Sequence, residues 1–263
     1  MATMRKFIIT LVAAMAAATS WAQLGLDDVQ FGGRLGYALG GTAPLGMPAT
    51  IRSLNSFSPG ASISFGFDAY KPIQGRWGAM MGVHLENKAM RTDANTKNYR
   101  MEITRGGETL SGVFTGKVVT KVRQWMFTIP VQAVYDLSSR VSLKAGPYVS
   151  IVASKEFSGY AYDGYLRVGD PTGVKVELGS EPGQRGDYDF SDDMRKLQYG
   201  IVIGADVRIT KRFGVYADLE WGLSSIHKSY FKTIEQRLYP IYGVVGITYS
   251  INNREVKINK KGN

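Results

Sequence analysis

Large apolar side chains alternate with small or polar ones in eight separate stretches of this chain. Over 31–39 the large apolar residues fall on odd positions, with Gly, Arg and Ala between them. The same period of two recurs over 61–69, 77–86, 125–135, 141–145, 199–208, 213–221 and 241–249. Successive side chains of a strand point to opposite faces, so this pattern predicts eight β-strands, each with an apolar face and a small or polar one. No helical period of comparable length follows residue 22.

Alternation does not say which way the apolar face points. In a soluble sandwich or barrel it packs inward, and in an outer-membrane barrel it meets lipid. Three features favour the membrane. First, the connections alternate strictly: 41–60, 87–123, 155–196 and 224–238 are long, while 71–76, 137–140 and 210–212 are short. Short periplasmic turns and long outer loops produce this order.

Second, the aromatic residues form two groups. With the short turns on the periplasmic side, Phe31, Phe67, Trp77, Tyr135, Phe213 and Tyr249 gather at one end of the strands, and Tyr37, Trp125, Tyr199, Trp221 and Tyr239 at the other. Two girdles flanking an aliphatic band mark the two membrane interfaces. Trp125 and Tyr135 are separated by about 33 Å of strand, which a tilt of ~40° reduces to about 25 Å of height, the thickness of that band.

Third, the opposite face holds Arg34, Asp68, His84, Glu86, Gln132, Lys144, Gln198, Asp206, Arg208, Asp218 and Glu220. The interior of an eight-stranded barrel is just wide enough for side chains. All the aromatics would overfill it, whereas glycines and paired charges fit. The expected lumen network is Arg34, Asp68, Glu86, Lys144, Asp206, Arg208, Asp218 and Glu220, with Arg34–Asp68 or Arg208–Asp218 as a direct ion pair, because an isolated buried charge costs several kcal/mol.

Residues 1–22 contain Arg5 and Lys6, an apolar run from Phe7 to Ala18, and Ser20 and Ala22 at the small positions of a cleavage site. This is the pattern of a secretory signal peptide cleaved after Ala22. The expected organisation is therefore a leader over 1–22, a barrel over 23–251 and a basic periplasmic tail over 252–263. The 263 residues include no cysteine, which excludes disulfides, thiolate metal sites, a cysteine nucleophile and an acylated N-terminal cysteine. The 31 glycines exceed the usual share of ~7%. Arg254, Lys257, Lys260 and Lys261 make the tail basic, which would suit nucleic acid in the cytosol, but a leader removes that compartment, so no nucleic-acid partner is expected.

Four segments carry a family resemblance: FTIPV at 127–131, LKAGPY at 143–148, LQYGIVIGA at 197–205 and LEWGLSSI at 219–226. In order and spacing they resemble the PorT-like outer-membrane β-barrel family of Bacteroidetes-type envelopes, over about 29–251. Gln198-Tyr199 stands where that family usually begins its motif with an acidic residue and a phenylalanine. The resemblance implies an eight-stranded outer-membrane barrel and no particular activity. The founding member of the family is associated with a protein-secretion and gliding apparatus.

In the long loops, 99–105 and 108–122 flank Gly106-Gly107, and 160–168 and 174–178 flank a Gly169-Asp170-Pro171 turn, so each pair predicts a hairpin standing above the membrane. Residues 180–193 read as irregular. Chemistry-bearing motifs are sparse: there is no phosphate-binding loop, HExxH or CxxC, and no cofactor or metal site is expected. His84 is expected beside Glu86 in the lumen. The sequence thus predicts a non-enzymatic outer-membrane barrel, plugged by charges, held in outer-membrane lipid, whose outer loops bind another envelope component and support secretion or surface assembly. The alternatives are a barrel that binds or transports a small solute, a membrane hydrolase built from Ser224, Ser225, His227 and Glu235, and a soluble secreted barrel.

Overall fold

The computed structural model describes residues 28–44, 46, 48–231, 233–234 and 237–252. The expected leader over 1–22, Glu235 and the basic residues of the tail lie outside these. Eleven strands follow one another: β1 (Gln30–Pro44), β2 (Ile51–Pro59), β3 (Ile63–Gln74), β4 (Trp77–Arg105), β5 (Glu108–Asp136), β6 (Val141–Val168), β7 (Lys175–Leu178), β8 (Gly186–Asp189), β9 (Leu197–Arg208), β10 (Phe213–Gly222) and β11 (Leu238–Ser250). Eight of them, β1-β3-β4-β5-β6-β9-β10-β11, form a closed antiparallel ring, and β1 pairs with β11 to shut it. Closure leaves those strands no free edge at membrane depth, the condition for crossing lipid with β-structure.

Three ring strands run far beyond the expected bounds. β4 continues from 86 to Arg105, β5 begins at Glu108, and β6 continues from 145 to Val168. The β4–β5 ladder is followed up to Arg105↔Glu108, where Gly106 and Gly107 take φ of 60° and 86°. Positive φ at both central residues is the tight hairpin turn whose twist matches the strands, and glycine takes it without steric cost. Within the expected 160–168 stretch, residues 164–167 likewise pair with β7, while Tyr160 and Ala161 pair with β8. Two expected loops hold further structure. Residues 51–59, inside the first long connection, form β2 on the edge of β4, and 180–193 contain β8 and a 3-10 turn at Ser191–Asp193.

The interior changes chemistry between two adjacent inward rungs of the β4–β5 ladder. Lys88 opposite Gln124 is polar, while Met90 opposite Val122 is apolar. Below this level the lumen is lined mainly by charged and polar side chains, with small apolar clusters of Ala38, Tyr216, Tyr242 and Val244 and of Tyr70, Met80 and Val134, and the outside is apolar: Leu35, Phe65, Val83, Val131, Ile203 and Leu219 are exposed. Above it Phe114, Val118, Phe157, Leu166, Met194 and Ile226 form a buried cluster, and Arg91, Lys121 and Arg123 point outward. The membrane section is therefore an inside-out protein, and the outer section has an ordinary core.

Candidate functional site

The lumen holds two tiers of charge. In the lower tier the Arg34 guanidinium meets Asp68 at 2.5 Å, Asp218 at 3.0 Å and Asp206 at 3.4 Å. Lys144 Nζ lies 2.9 Å from both Asp206 and Asp218, and His84 Nε2 lies 2.9 Å from Asp68. The Tyr216 ring sits beneath both cations, 4.5 Å from the Arg34 guanidinium carbon and 5.1 Å from Lys144 Nζ. In the upper tier Lys88 Nζ meets Glu220 at 2.5 Å and Glu86 at 2.9 Å, and the Thr128 hydroxyl donates to Glu86 at 2.6 Å. Lys88 also lies 5.4 Å from the Tyr242 ring centre and 5.8 Å from that of Tyr148.

Each cation thus serves at least two carboxylates. Removing charges from water costs several kcal/mol per ion, and only close, shared contacts return it in a low-dielectric interior. The side chains of Arg34, Lys88 and Lys144 are at most 4% exposed. The void between His84, Gln132, Tyr148 and Glu220 is about 10 Å³, the room of about one water. At the periplasmic mouth a shallow recess of about 80 Å³ ends on Arg34 and Asp68.

Seven of the eight expected network residues enter these tiers. Arg208 lies nearer the mouth, in the wall of the lower recess, where the ladder sets it opposite Gly214 while Asp218 faces Gly204. Four residues along the strand separate the two levels, so Arg208 and Asp218 are not cross-strand neighbours. Lys88, inside the long connection expected over 87–123, is the centre of the upper tier. It lies on the face of His84 and Glu86, two residues beyond the alternation Val83-His84-Leu85-Glu86.

The two aromatic groups occupy the ends of the apolar band. At the periplasmic end Phe31 stacks on Phe67 with centroids 5.7 Å apart, Trp77 meets Tyr135 at 4.8 Å, and Phe213 meets Tyr249 at 5.1 Å. At the other end Tyr37, Trp125, Tyr199 and Trp221 are exposed, and Tyr239 is half-buried. Trp125 and Arg123 are consecutive outward residues of β5, so apolar surface gives way to charge within one side-chain repeat.

Of the residues named for the alternative hydrolase, Ser224, Ser225 and His227 are described. The His227 ring stacks on Phe231 at 4.7 Å and meets Phe157 edge-on at 4.6 Å. Burial, with the Lys155 ammonium nearby, holds its pKa down at about 4. The Ser224 hydroxyl donates to the Tyr199 carbonyl and accepts from the Tyr199 N–H, and the Ser225 hydroxyl accepts from the His227 backbone N–H. Burial also raises the Tyr188 phenol, which donates to the Val119 carbonyl.

A closed antiparallel ring with a lipid-facing apolar band defines an outer-membrane barrel. The chain matches the model of the "Outer membrane protein beta-barrel domain" family over residues 21–228, and it belongs to that family. No curated protein matches it. Among solved structures it is similar to Ail, the attachment invasion locus protein of Yersinia pestis. In its complex with the heparin analogue sucrose octasulfate, identity is 10% over 85% of this chain and 99% of that one, with a TM-score of 0.37. In a second Ail structure identity is 11% over the same shares, with a TM-score of 0.38. It is also similar to the translocator domain of the autotransporter NalP from Neisseria meningitidis, at 10% identity over 93% of this chain and 97% of that one, with a TM-score of 0.25.

Proposed function

We propose that this protein is a non-enzymatic, non-conducting outer-membrane barrel that displays an ordered outer β-platform to another envelope component, in secretion or surface assembly. The supporting observation is the contrast between its two halves. The lumen charges are shared among themselves, leaving no wide path, while β4, β5 and β6 continue as paired strands well beyond the membrane band around a core of their own. A loop that only closed the barrel would need no such core. A PorT-like role is the finer form of this proposal, supported by the order of the four motifs at 127–131, 143–148, 197–205 and 219–226. The leader over 1–22, cleaved after Ala22, and the tail over 252–263 complete the proposed organisation.

Purification in mild detergent after cross-linking of whole cells tests it, comparing the full chain with a variant in which residues 97–115 are replaced by a two-residue turn. Both should show heat-modifiable gel migration, and a partner recovered with the full chain should be lost with the variant. Equal recovery of every cross-linked species by the two would contradict the proposal.

A further inference from the structure

The hairpin of β1 and β2 is splayed. β3 pairs with β1 up to Tyr37↔Ile63, and one further bond joins the Ala38 N–H to the Ser62 carbonyl. Beyond that level, among the described residues, β1 pairs only with β11 and β2 only with β4. The β1 edge facing the gap uses a side chain where a ladder partner would stand: the Thr42 N–H donates to Met90 Sδ at 3.1 Å. Between the two strands lies a cavity of about 360 Å³, within the range of small-molecule sites.

The chemistry of this cavity is one-sided. Its walls carry no charged residue, and its polar groups are hydroxyls such as those of Thr42, Thr120 and Tyr188. Its floor is Met90, one inward rung above Lys88, so it is separate from the charged lumen. Leu54 and Phe57 of β2 stand at its rim, 50% and 44% exposed, an unusual position for two large apolar side chains on one edge strand. Ile241, also in the wall, lies opposite Trp221 in the β10–β11 ladder, which sets the opening at the height of the outer aromatic girdle. Apolar cavities far smaller than this stay dry and take hydrocarbon guests.

We infer that this cavity binds a single hydrocarbon chain of an amphiphile, admitted sideways between β1 and β2 at the outer membrane interface, with the polar head left at the girdle. The chain belongs either to a membrane lipid or to a free single-chain amphiphile such as a fatty acid. The inference does not rest on the proposed partner, and the readout below is independent of it.

The test uses the full chain in nanodiscs of saturated phosphatidylcholine. Fluorescence of the polyene fatty acid cis-parinarate is titrated in one arm, and of parinaroyl phosphatidylcholine built into the disc in the other. Two variants are compared with the native chain: Ala94→Phe, which fills the cavity from its wall, and Leu54→Asp, which places a charge at the rim. Heat-modifiable migration confirms that each is folded. A saturable component near one probe per barrel, absent from empty discs and weakened at least tenfold by both variants, is expected in at least one arm, and that arm identifies the source. Signal that follows disc lipid alone in both arms, or a saturable component unchanged by both variants, would overturn the inference.

Discussion

Arg34 and Asp68 touch at 2.5 Å although neither stands opposite the other in the β1–β3 ladder: Arg34 faces Gly66, and Asp68 faces Gly32. A side chain at Gly66 would strike Arg34 Cγ, at 2.7 Å, and the His84 ring. The lumen charges meet diagonally across positions that glycine keeps empty. The glycine excess is thus partly the space into which the network folds.

Replacing Arg34 by Met should destabilise the barrel by about 3–5 kcal/mol, because Asp68, Asp206 and Asp218 would lose a shared buried cation. Urea unfolding followed by heat-modifiable migration measures this. A loss under about 1 kcal/mol would mean that the lower tier is hydrated rather than ion-paired.

Gly204 stands between Lys144 on β6 and Asp218 on β10, and a Cβ there would collide with the Asp218 carboxylate. Gly204→Val should cost about 1–3 kcal/mol by overpacking. The same assay applied to Val174→Ser, at a residue 76% exposed in the outer region, should show no change beyond about 0.5 kcal/mol.

These glycines show what the sequence could and could not disclose. The eight ring strands and their facing were legible because alternation of period two is imposed by the pleat itself. The diagonal pairing was not legible, since it depends on register between strands, which a single strand's pattern does not contain. Arg208 illustrates this: its turn to Asp218 is short, yet the ladder separates their levels by four residues. Lys88 was missed for a different reason. The outward face turns polar past the membrane interface, so the alternation weakens there while the ladder continues. β2 was hidden because its exposed edge carries polar residues among Leu54 and Phe57, without a clean period.

Lipid-facing Leu219→Arg should impair assembly by about 2–4 kcal/mol, the cost of a cation near the bilayer midplane. Ile203→Arg and Val245→Arg should behave alike, since all three are exposed on the apolar band. Refolding yield into lipid vesicles is the measurement. Yields matching the native chain would reverse the assigned facing.

The outer region should respond to acid through His227. Its pKa in the folded protein is about 4, against an ordinary 6.5, so the unfolded loop takes up a proton more readily than the folded one. Packing of His227 between Phe157 and Phe231 is therefore fully stabilising above about pH 6.5, weakens as the pH falls toward about 4, and changes no further below it. Protection factors around His227, that is, hydrogen exchange corrected for its intrinsic pH dependence, should fall as the pH drops across that window. His227→Phe should abolish the fall, and native protection factors constant from pH 7 to 4 would contradict the assignment.

The plugged lumen is the centre of this account, and planar-bilayer recording of the purified full chain tests it most directly. Three cations shared among five carboxylates should leave no continuous aqueous path, so the protein should insert without steady conductance at moderate voltage. Stable, discrete single-channel steps from pure protein would contradict the plug and show an open pore.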